Sequence, residues 1–208
     1  MLAVVPPFSW VIFLMLFVIF ATSLMVFLLL VRRWTTQRQW VSLAEWARQK
    51  KFKFRKNDLS ELPAVLETLR PQGLEIRLHL CRENLSVLQI QTAGPAQSNQ
   101  WNLLVRRRVN RSANAAGLRP ASAARSVLDL FGLSQYPTFA VGHRFTVLSV
   151  TPSSARALAE SASRTLLPPD LGLLLIDDWI VLDFSIRPFD PIELHRMISI
   201  AEQLSQML

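Results

Sequence analysis

The chain has 208 residues, half of them apolar, with 23 Lys/Arg against 15 Asp/Glu and a single cysteine, Cys81. One cysteine excludes an internal disulfide framework. The apolar content is enough for a soluble part to bury a core. The net charge of +8 is local: residues 32–56 hold nine Lys/Arg and one acid, Glu45, whereas residues 57–208 hold 14 arginines and 14 acids. The high pI therefore describes a basic collar and not a basic globular domain, and a nucleic-acid partner is not expected.

Residues 1–7 carry no side-chain charge and are expected to be a short external N-terminus. From Phe8 to Val31 there is again no charge, and only Ser9, Thr22 and Ser23 are polar. As a helix these residues span roughly 36 Å, enough to cross a hydrocarbon core of about 30 Å with some tilt. Residues 8–31 are expected to be a retained transmembrane helix. A cleaved signal would want a charged start, a shorter apolar region and small residues at the cut, where this chain has Leu30-Val31-Arg32-Arg33. The basic flank then places residues 32–208 in the cytoplasm, under an inner membrane, with the N-terminus outside. The span contains no glycine and so no GxxxG pairing motif. Its isolated Ser and Thr are expected to bond back to their own helix.

Residues 32–58 form the collar. Trp34 follows Arg32 and Arg33 as an interfacial anchor. Trp40, Leu43, Ala44 and Ala47 recur on one helical face, so 36–50 reads as an amphipathic helix. Lys50-Lys51-Phe52-Lys53-Phe54-Arg55-Lys56 alternates Phe with charge, as a short strand does. Two roles compete for Arg32, Arg33, Trp34, Arg48, Lys50, Lys51, Lys53, Arg55 and Lys56. They can hold anionic headgroups at the bilayer surface, or they can only set topology while the Phe side packs into the domain.

Residues 59–208 read as a mixed α+β domain. Leu59 to Leu69 suggests a short helix. Residues 74–80 alternate strictly, with Leu74, Ile76, Leu78 and Leu80 inward and Glu75, Arg77 and His79 outward. Glu83-Asn84 turns the chain into a strand over 85–92, and Trp101 to Val109 gives a third. Residues 110–125, rich in Ala, Ser, Asn and Arg, read as a loop and as a boundary between two lobes. A helical turn is expected at 126–133 and strands over 138–150, interrupted near Gly142-His143. Thr151-Pro152 opens a helix that Pro168-Pro169 stops. Leu171 to Ile176 is a central strand, Asp177-Asp178 a turn, and Trp179 to Ser185 the returning strand. Asp190-Pro191-Ile192-Glu193 is a capping box for the last helix, whose stripe is Leu194, Met197, Ile198, Ala201, Leu204 and Leu208. The order strand, helix, strand, strand occurs twice, which suggests two lobes.

No catalytic signature is present. His79, His143 and His195 are scattered, and His79 with Cys81 supplies two ligands where zinc wants more. The six glycines are isolated, so no phosphate loop forms, and GxSxG, HExxH and CxxC are absent. Asp183 stands in an apolar strand without an evident partner. No catalytic, cofactor or metal residue is therefore assigned.

Trp40, Leu43-Ala44, Phe52, Phe54, Asp58 and Leu62-Pro63 resemble a pattern in uncharacterised bacterial single-pass membrane proteins. There the span is followed by Trp–x–x–Leu–Ala, a short aromatic strand, an acid and Leu-Pro. Those proteins carry a glycine before the aromatic strand where this chain has Lys50-Lys51. The resemblance implies a small membrane-anchored cytoplasmic α+β domain and no activity. The expectation is a non-enzymatic, membrane-anchored protein whose domain docks a protein partner. The alternatives are an anionic-lipid sensor and an enzyme with a scattered site.

Overall fold

The computed structural model describes residues 7–55, 63–67, 74–92, 100–107, 115–122, 126–141 and 143–208. Two compact units divide after Glu45. Helix α1 runs over Pro7–Gln49. No Gly or Pro interrupts it after Pro7, which sits at a first position that tolerates proline. Within it, Trp10–Val31 is long and apolar enough to cross a membrane, and none of that window is buried. Thr22 donates back to the Val18 and Ile19 carbonyls, 2.9 Å each, as expected of an isolated threonine in a span. On the following face Leu43 and Ala47 are buried, whereas Trp40 and Ala44 are exposed.

Residues 46–208 form the second unit. It opens with the end of α1, closed by a Schellman motif. The Phe52 amide donates to the Ala47 carbonyl at 2.8 Å and the Lys51 amide to the Arg48 carbonyl at 3.1 Å. Lys51 takes the left-handed position, φ 60°. Beyond it lie β1 (Lys53–Arg55), α2 (Ala64–Glu67), β2 (Leu74–Arg82), β3 (Leu85–Thr92), β4 (Gln100–Arg107) and β5 (Ala116–Pro120). Two 3-10 turns follow, Val127–Phe131 and Leu133–Gln135. The chain continues through β6 (Thr138–Val141), β7 (Phe145–Ser149), α3 (Pro152–Arg164), β8 (Gly172–Ile176), β9 (Trp179–Asp183) and α4 (Pro191–Met207).

All nine strands join one antiparallel sheet in the order β1-β2-β3-β4-β9-β8-β5-β7-β6. Helix α3 lies against β5 and β7, α4 against β4 and β9, and the two helices touch. On the opposite face the 3-10 turns pack Val127, Leu128, Phe131 and Leu133 onto Leu103, Val105, Leu174 and Val181. With both faces covered, β8 and β9 read as continuous apolar runs instead of alternating ones.

The doubled order of strand, helix, strand, strand is present, but the halves are arranged differently. In the first, β1 and β2 are antiparallel neighbours. In the second, β5 pairs antiparallel with both β7 and β8, so those two run parallel with α3 as their crossover. The stretch 110–125 is not a plain loop, because it supplies β5. Residues 110–114 and 123–125 lie outside the described ones. Ala116–Pro120 has one large apolar side chain, and its strand character comes from the slot between β8 and β7. Gly117 lets Leu133 pack closely there: a Cβ would stand 2.2 Å from Leu133 Cδ1.

Candidate functional site

The site begins at the end of β9. Register places Asp183 opposite both Gly172 and Leu103. Asp183 therefore shares the face of Leu103 and Val181, the face covered by the 3-10 turns. Gly172 permits the close approach, since a Cβ would lie 2.9 Å from Leu128 Cδ1 and 3.1 Å from the Asp183 Cβ.

Ser126 caps the first 3-10 turn as a capping box. Its hydroxyl accepts from the Leu128 amide at 3.2 Å, and its own amide donates to Asp129 Oδ2 at 3.1 Å. The same hydroxyl donates to Asp183 Oδ2 at 2.7 Å. On the other side, the Ser185 amide donates to Asp183 Oδ1 at 3.1 Å, and the Ser185 hydroxyl donates to that oxygen as well. The Asn102 amide donates to the Ser185 hydroxyl at 3.2 Å. Asn102 extends the network inward, donating to the Arg187 carbonyl at 3.0 Å and accepting from Gln89 at 3.3 Å.

Arg187 forms a second cluster. Nε and Nη2 each donate to an Asp170 oxygen at 2.6 Å, and Nη1 donates to Glu193. Hydrogen bonding from Arg187 holds the Asp170 carboxyl below its ordinary range, against the opposing pull of burial. The Arg187 guanidinium is held above its ordinary value, chiefly by Asp170. Asp190 caps α4 by accepting from the Ile192 and Glu193 amides, both at 2.9 Å. The reciprocal half of the expected capping box is replaced, because the Glu193 carboxylate serves Arg187 instead.

Between these clusters lies a cleft of about 360 Å3. Trp101, Pro120, Val127 and Ile186 form its apolar walls, and Gln100, Ser122, Ser126, Ser185, Asp170 and Asp183 its polar lining. Asp183 is thus not the partnerless carboxylate the sequence suggested. Its partners sit 57 residues upstream and two downstream. The Asp170–Arg187 pair is separated by 17 residues and follows no motif. Among the described residues no histidine lines the cleft, so the Ser126–Asp183 pair lacks the base that would make a nucleophile of the hydroxyl.

His79, expected on the outward face of β2, is fully buried, and its Nε2 lies 3.1 Å from the Ser86 hydroxyl. The β2–β3 register shifts between Ile76 and Leu78, which breaks the strict alternation. Cys81, its expected companion, is only half-buried and points its thiol at the Lys53 carbonyl, 3.9 Å away. Among the described residues no group of three His, Cys, Asp or Glu side chains could hold a metal.

The collar residues are distributed along the chain. Arg33, Trp34 and Arg48 are exposed on α1, and Arg38 stacks over the Trp34 ring at 3.5 Å. Arg32 is helical, with its side chain outside the description, and Lys56 lies outside the described residues. Lys50 and Lys51 are exposed in the turn, and Lys53 and Arg55 sit on β1 opposite Cys81 and His79. Of the two Phe side chains expected inward, Phe52 is buried and stacks on Trp46 at 5.5 Å between centroids, whereas Phe54 is exposed. The Arg82 guanidinium lies 5.1 Å from the Phe52 ring centroid and donates to the Lys50 carbonyl at 3.2 Å.

No family model and no curated protein matches the chain. Among solved structures, the fold is similar to the crystal structure of the mycobacterial trehalose monomycolate transport factor A, TtfA. The TM-score is 0.56 at 9% identity, over 80% of this chain and 92% of that one. At that identity the likeness is one of fold alone.

Proposed function

We propose that this chain is a non-enzymatic, single-pass membrane protein whose cytoplasmic α+β domain docks a protein partner at an inner-membrane surface. It would belong with the uncharacterised bacterial membrane proteins that its Trp40, Leu43-Ala44 and Leu62-Pro63 pattern resembles. The observation that carries the reading is the exposed apolar window Trp10–Val31 joined to a domain whose chemically able groups are tied into its own framework. Asp183, Ser126, Ser185, Asp170 and Arg187 hold loops to strands. The similarity in fold to a protein named as a transport factor is compatible with a non-enzymatic role. Reporter fusions at Leu208, one active only in the cytoplasm and one only outside, test the orientation. Co-purification in mild detergent tests the partner: a stoichiometric companion is expected, and repeated recovery of the chain alone would sink the reading.

One observation favours anionic lipid as a second contact. Arg48, Lys50 and Lys51 are exposed where α1 ends, with no acid between them. A fragment lacking the span is expected to float with phosphatidylglycerol vesicles better than with phosphatidylcholine vesicles, and salt should erase the difference. Equal flotation would remove lipid from the account.

A further inference from the structure

The floor of the cleft beside Asp183 has a one-sided hydrogen-bonding capacity. A serine hydroxyl has one proton and two acceptor sites, and a carboxylate has about four acceptor sites and no proton. Ser126 gives its proton to Asp183 and accepts from Leu128. Ser185 gives its proton to Asp183 and accepts from Asn102. Each hydroxyl is left with an acceptor site only, and the carboxylate keeps at least one more. Among the described residues, Asp183 takes only hydroxyl and amide donors, although it is 9% exposed. Arg187 does not offset this charge, because its donors go to Asp170 and Glu193. Arg187 pairs Asp170 and Glu193, and Arg196 adds its charge at Asp170, whereas among the described residues no ion pair reaches Asp183. The adjoining wall is Trp101, whose ring face carries negative potential.

Beside Asp183 an anion meets a carboxylate and two hydroxyls whose protons are already given, and the donors the cleft does hold, on Gln100 and Ser122, belong to exposed residues. A neutral polyol finds acceptors at Asp183 and must reach those exposed side chains to satisfy its own oxygens. A group with several N–H donors and a positive charge matches both deficits. We propose that the cleft binds an organic cation, an ammonium or guanidinium group on a short aliphatic chain. Asp183 is its counter-charge and Trp101 its aromatic wall, and the chain lies along Pro120 and Ile186. The volume of about 360 Å3 is near the lower end of small-ligand sites, so the ligand is short.

The test titrates the full chain, in mild detergent at low salt, with agmatine, which carries both groups. Calorimetry is expected to show saturable one-to-one binding that salt weakens, and no binding of acetate or glucose. Gln100→Lys at the cleft, outside the hydroxyl network, places a tethered cation there and should weaken agmatine at least about tenfold. Asp183→Asn should do the same by removing the charge and keeping the shape. Trp101→Leu should cost about three- to tenfold. Circular dichroism checks each fold, and if Asp183→Asn does not fold, the other two variants decide. No saturable agmatine binding, binding unchanged by Gln100→Lys, or glucose bound as well as agmatine would each overturn the proposal.

Discussion

Arg187 shows how one residue organises the loop between β9 and α4. Its side chain is 15% exposed and engages two acids that sequence distance does not relate. Removing one partner of a largely buried pair leaves the others uncompensated. Arg187→Met should destabilise the domain by about 2 kcal/mol in urea titration, a figure lowered for the partial exposure of Asp170. The sign of the pH effect follows from Asp170. Its folded pKa is below the unfolded one, so its stabilisation is fully present above the unfolded value of about 4 and is lost as pH falls through the folded value. The urea midpoint of the native chain should fall on acidification through that window, and Arg187→Met should flatten the fall. Gly117→Ala tests packing at the same scale. The new Cβ must displace Leu133, and a cost of about 1–3 kcal/mol is expected in the same titration. Neither effect is legible in the sequence, because both depend on partners that only the folded chain brings together.

At the scale of elements, two helices end in the same unusual way. Helix α1 closes on Lys51 and α3 on Leu166, each left-handed and each followed by a residue that bonds back to the third-last carbonyl. Glycine is the ordinary occupant of that position. The turn out of α1 needs positive φ at Lys51, which glycine would adopt without strain. Lys51→Gly and Leu166→Gly should each stabilise the second unit by about 0.5–1 kcal/mol, read as a rise in urea midpoint. Leu166 is exposed and buries nothing that glycine would lose, whereas Leu167 beside it is fully buried and should not tolerate the change. Strong local signals made most elements readable. Thr151-Pro152 and Asp190-Pro191 mark helix starts, and the turns at Glu83-Asn84 and Asp177-Asp178 mark hairpins. Strand β5 had no such signal. It is short, contains Gly and Pro, and is held by its neighbours.

For the whole molecule, the prediction concerns the apolar window. If Trp10–Val31 spans a bilayer, the chain stays with membranes through alkaline carbonate and leaves only with detergent, and Arg substituted at Phe20 should reduce that retention markedly. Release by carbonate alone would contradict it. A window of 22 uncharged, largely apolar residues and a nine-to-one charge collar are properties of the chain itself, so the sequence alone determined where a span can lie and that an α+β domain follows. The amphipathic stripes of α3 and α4 are equally local in origin, because a period of 3.6 is written in the order of side chains. The tertiary structure decided the rest. Sheet order, the insertion of β5 between β8 and β7, the burial of His79 and the partners of Asp183 all require residues far apart in the chain to meet. The energy that fixes such meetings comes from burying both faces of one sheet at once, a property of the assembled layers that no single segment contains.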